Sequence, residues 1–165
     1  MSLLGSTPLG MICCGSLNHL DCYPALETAD LSRNLALARF ELHVGYPEDL
    51  IPVLSPLRKT LSTISSPAFS EFTLKFEYSE TERRFLQFVS GEVVRGDEWG
   101  MIDRDLNDMG YRIGRDIQLV VQVGAGIEVW SPTRRTVVGD VFPLMNARGL
   151  VSVEVVPRTY SLSQG

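Results

Sequence analysis

Two histidines and three cysteines are all that 165 residues offer of the side chains that most often ligate metals or act as bases near neutral pH. Positive charge is also short, with 15 Lys and Arg against 20 Asp and Glu and a net charge of -5. A face that binds nucleic acid needs clustered Lys and Arg to displace counterions, so this balance argues against one. Arg83-Arg84 and Arg134-Arg135, the two Arg-Arg pairs, read as solvated loop or helix residues. An odd cysteine count, no Asn-x-Ser/Thr acceptor and no basic leader point to a reducing compartment, cytoplasmic or nuclear. No long apolar run offers a membrane span: Met1 to Leu20 is fairly apolar, but Gly5, Pro8, Gly10 and Gly15 interrupt any helix there. With 44% apolar residues, the chain can build one buried core without staples.

The motifs that would carry chemistry are incomplete. Cys13, Cys14, His19 and Cys22 have ligand types, but two cysteines are adjacent and no second knuckle follows, so no zinc site is expected. Asp103, Asp105 and Asn107 open a calcium-loop pattern that fails where Asp108 replaces its glycine and Gly114 its glutamate, and a solvated helix face accounts for these acids. Gly124-Ala125-Gly126 follows a strand-like run, yet Val129 stands where a dinucleotide fingerprint needs its third glycine, and a hairpin turn is expected instead. No Gly-x-Ser-x-Gly elbow exists, and Ser62, Ser65 and Ser66 fit helix-end and turn roles. His43 lies two residues from Glu41 on one strand face, but no nucleophile or oxyanion donor converges on it. The chain reads as no enzyme, with no cofactor and no metal.

What the sequence does hold is a recurring apolar spacing. Leu17, Leu20, Cys22; Leu37, Phe40, Leu42, Val44; and Phe69, Phe72, Leu74, Phe76 follow the strand signature of a leucine-rich repeat, L-x-x-L-x-L. A fourth copy runs from Gly114 through Ile117, Leu119 and Val121, and a fifth from Arg148 through Val151, Val153 and Val155. Between them lie helical patterns. Leu50, Val53, Leu54, Leu57, Leu61 and Ile64 share a helix face, with Pro56 expected to kink or split it. Trp99, Ile102, Leu106 and Met109 share another, opened by Asp97 and closed at Gly110, and a last helix is expected near 136–146. The fold expected is α/β: an irregular, curved leucine-rich-repeat-like solenoid with parallel strands on the concave side and helices on the convex side. Residues 1–16 form a lead-in, 17–156 the domain and 157–165 a frayed tail.

Side chains alternate across a strand, so the residues between the apolar positions face outward. In this register Asp21 and Tyr23, Glu41 and His43, Thr73 and Lys75, Gln118 and Val120, and Ser152 and Glu154 stack as a concave ladder of mixed charge. Repeat scaffolds commonly bind proteins on that surface. A non-catalytic interaction module follows, with a protein partner of unknown identity and neither nucleic acid nor membrane. The alternatives are a small intracellular enzyme or ligand binder with a pocket near Gly124–Gly126 and His43, and a diverged relic with no selected partner.

The run from Leu61 through Phe76 resembles the leucine-rich tail of F-box-like proteins from mushroom-forming (basidiomycete) fungi. Trp99, Ile102, Asp103 and Leu106 match that family's tryptophan-led helix, W-x-x-I/L-D-x-x-L. Phe142, Pro143, Arg148, Gly149, Val151 and Val153 match its closing F-P-x-x-x-x-R-G-x-V-x-V. The resemblance spans about residues 17 to 156 and implies a substrate-recognition region of the ubiquitin-ligase type. The helical F-box that recruits the ligase adaptor belongs upstream of the repeats and is absent here, so adaptor binding is doubtful and only the repeat positions carry over.

Overall fold

A computed structural model describes residues 11–14, 26, 28–44, 53–76, 96–124 and 138–156, with the backbone alone at 11–14, 44, 76, 96–97, 123–124 and 155–156. Its strands are β1 (Met11–Cys14), β2 (Arg39–Val44), β3 (Glu71–Phe76), β4 (Gln118–Gly124) and β5 (Val151–Val156). Helix α1 (Leu54–Thr63) joins β2 to β3, α2 (Gly96–Ile113) joins β3 to β4, and α3 (Pro143–Ala147) precedes β5. All neighbouring strands are parallel, and their order across the sheet is their order along the chain. Helices pack side by side, α1 on α2 and α2 on α3. Their stripes, Leu54, Leu57 and Leu61 on α1 and Trp99, Ile102, Leu106 and Met109 on α2, share one core with Phe40, Leu42, Phe72, Leu74, Leu119 and Val121 of the sheet. The parallel α/β architecture is thus the one expected. Period two in the strands and near 3.6 in the helices bring the apolar faces together.

Several local expectations change. The strand beside β2 is Met11–Cys14, paired in register with Arg39–Leu42, so the lead-in contributes to the sheet. Leu17, Leu20 and Cys22, with Asp21 and Tyr23, lie outside the described residues, as do the proposed hairpin after Gly124 and the tail. Pro56 does not break α1: the helix begins at Leu54, so the missing proline N–H falls among first-turn donors that lack a helical partner anyway. Helix α2 runs past Gly110 to Ile113 and closes at Gly114, whose φ is +69°. Gly114 N–H donates to Tyr111 (3.3 Å) and Arg115 N–H to Gly110 (3.0 Å), the paired bonds of a Schellman cap. The last helix shortens to α3 after a helical turn at 138–141, because Pro143 disfavours helical backbone at Phe142 (φ -119°, ψ 64°).

Asp103 and Asp105 of α2 do not form a solvated face, although Asp108 is exposed. Asp103 is buried, and its carboxylate accepts the backbone N–H groups of Leu144 (2.8 Å) and Met145 (3.0 Å), capping α3 from the neighbouring helix. Asp105 receives Arg58 of α1 through two nitrogens, Nε at 2.6 Å and Nη2 at 3.3 Å, and its carboxylate raises the guanidinium above its ordinary value. Asn107 accepts from Arg148 at 2.9 Å.

The turns that lead into the strands are tied to one another in sequence. Ser65 and Ser66 donate to the carbonyls of Ser32 (2.8 Å) and Leu35 (2.9 Å). One step along, Arg112 donates to Ile64 (2.9 Å) and Arg115 to Ala68 (3.1 Å). Each turn thereby satisfies polar backbone left over by the turn before it, which holds the strands in fixed register.

Candidate functional site

The candidate site is the sheet face turned away from the helices. Registers fix its rows. Arg39, Glu71 and Gln118 form one; Glu41, Thr73, Val120 and Ser152 the next; His43, Lys75, Gln122 and Glu154 the third. The face expected for these side chains is therefore the face observed, but β4 is displaced by two residues from the expected ladder. Gln118 stands beside Glu71 rather than Thr73, Val120 beside Thr73 rather than Lys75, and Gln122 beside Lys75. The shift arises because Gly114, counted as the first repeat position, is the α2 cap. The equivalent of Phe69 is Asp116, three residues before Leu119 as Phe69 is before Phe72. Arg39, Glu71 and Gln122 are thus additions to the site; extending the period-two alternation by one row reaches the first two, whereas Gln122 needs the register.

Short polar contacts cross the face. Arg39 grips Glu71 through two nitrogens, Nη2 to Oε2 at 3.0 Å and Nε to Oε1 at 2.9 Å, and the Thr73 hydroxyl donates to the same carboxylate at 2.8 Å. His43 Nε2 contacts Glu41 Oε1, and Lys75 Nζ lies 4.0 Å from that oxygen. On the other side, the Gln122 amide donates to Glu154 at 3.0 Å. Thr73 and Val120, small and ringed by longer neighbours, are buried, and the Glu41 and His43 side chains retain only 13% and 15% of their exposure. Gln118 and Glu154 are exposed, and Ser152 is partly so. Asp21 and Tyr23 cannot be placed on this face, since they lie outside the described residues.

Ser62 donates to the carbonyl of Lys59 at the helix end, as expected, whereas Ser65 and Ser66 reach across to the carbonyls of Ser32 and Leu35 in the preceding turn rather than acting only locally. Among the described residues, no group of three or more His, Cys, Asp or Glu side chains is placed to hold a metal ion, and no helix is long and apolar enough to cross a membrane. No protein-family model, curated protein or solved structure matches the chain.

Proposed function

We propose that the chain is a curved leucine-rich-repeat-like solenoid that works inside the cell as a non-catalytic protein-binding module, contacting its partner through the polar sheet face. The observation that carries this reading is a sheet with one face sealed under helices and the other lined by in-register rows of charged and hydrogen-bonding side chains. Two of the four strand-to-strand spacings support the solenoid: Arg39 and Glu71, in register on β2 and β3, are 32 residues apart, as are Gln122 and Glu154 on β4 and β5, while the return between β3 and β4 is longer. The resemblance to the leucine-rich tail of F-box-like proteins supports a recognition role of the substrate-binding kind.

The test compares the wild-type chain with a variant carrying Lys75→Glu and Glu154→Lys, both shown by circular dichroism to fold, as baits in cell extract. A protein captured by the wild type and lost by the variant is the expected result. Identical captures by both would remove the face from the function.

A further inference from the structure

The polar face has two halves of different chemistry. On β2 and β3 the charged side chains face opposite charge: Arg39 grips Glu71, and Lys75 lies 4.0 Å from Glu41, which His43 also contacts. A partner seated there would have to desolvate paired ions, which seldom repays its cost. On β4 and β5 the row positions hold two amides, a hydroxyl, one carboxylate and the buried Val120. Glu154 is exposed and contacts a neutral amide, with no cation against it among the described residues.

Resting on the binding-module reading, we propose that the β4–β5 half, Gln118, Gln122, Ser152 and Glu154, is the part of the face that receives the partner. The partner is a protein segment that sets a lysine or arginine against Glu154, flanked by uncharged residues that hydrogen-bond to the glutamine amides. Charge complementarity argues for a cation: among the described residues, Glu154 is the carboxylate of the face not matched by one, and the chain's net charge of -5 favours approach by a basic segment. The flanking residues are uncharged because amides and hydroxyls give up water at lower cost than ions.

An array of synthetic twelve-residue peptides, probed with the full chain, tests this. Peptides retained by the wild type should carry Lys or Arg. Glu154→Gln should weaken them about three- to tenfold and flatten their salt dependence, while Lys75→Met changes them less than about twofold. Peptides weakened by Lys75→Met and indifferent to Glu154→Gln would overturn the assignment to β4–β5 and leave the binding face standing. Peptides held equally by the variant with Lys75→Glu and Glu154→Lys would overturn both.

Discussion

Asp103 shows what one side chain does for the packing of this chain. Helix α3 has no side-chain cap of its own at Phe142 and no acid in its first turn, so two of its N-terminal donors depend on a carboxylate delivered from α2. Asp103→Ala should cost about 1–3 kcal/mol in urea unfolding, because it leaves the buried Met145 amide without an acceptor and the half-exposed Leu144 amide to water. Burial raises the Asp103 carboxyl above its ordinary 3.8, against the lowering by the Leu144 and Met145 amides. A folded-state value above the unfolded one gives a contribution that is fully present below 3.8 and lost as pH rises through the folded value. Asp103→Asn has no such dependence at this position. Its stability relative to wild type should therefore rise between about pH 4 and about pH 7; a fall over that interval would mean that the two amide bonds outweigh burial. Asp116 and Arg148, which take the leucine position in two repeats, form an ion pair of lesser weight. Asp116 is 66% exposed, so Asp116→Ala should cost less than about 1 kcal/mol. Arg148→Ala should cost more, because that guanidinium also holds Asn107 and lies 4.9 Å from the Tyr111 ring centre.

At the scale of elements, helix ends decide where strands begin. Gly114 and Gly149 both sit at φ +69° and close α2 and α3 with the same pair of backward hydrogen bonds. Nothing lies within 4 Å of a Cβ built at either, so the cost of Gly114→Ala is conformational, about 1 kcal/mol, and Gly114→Asn should cost less. Equal losses for alanine and asparagine in thermal unfolding would argue against the left-handed cap. The stripes of α1 and α2 were legible in the sequence because apolar residues at helical spacing need no knowledge of the partner surface. The extent of α3 was not, since its cap comes from a residue forty positions upstream and its start is set by the backbone restriction before Pro143. The same physics joins two motifs that look separate along the chain. Trp99 packs edge-on against Phe142 at 5.4 Å, and Asp103, one turn further on, caps the helix that Pro143 opens.

Across the whole molecule, the sequence pattern identifies a face more readily than a row. A slip of one residue would turn every side chain of a strand to the opposite face, whereas a slip of two leaves each on the face it had, so alternation alone cannot see it. That is why Glu41, His43, Thr73, Lys75, Ser152 and Glu154 fall in the rows expected of them while Gln118 and Val120 fall one row early. Cross-linking distinguishes the two registers directly. With Cys13, Cys14 and Cys22 changed to serine, Lys75→Cys combined with Gln122→Cys places two cysteines on paired positions of β3 and β4. Adjacent strands run about 4.8 Å apart, inside the Cα separation a disulfide bridges, whereas a partner displaced by one row lies roughly 8 Å away, outside it. Lys75→Cys with Gln122→Cys should therefore oxidise to a disulfide, and Lys75→Cys with Val120→Cys should stay reduced. The reverse outcome would restore Val120 to the row of Lys75 and put Gln122 a row beyond it. It would also separate Gln122 from Glu154 unless β5 moved with β4, since the amide now reaches that carboxylate only because both stand in one row.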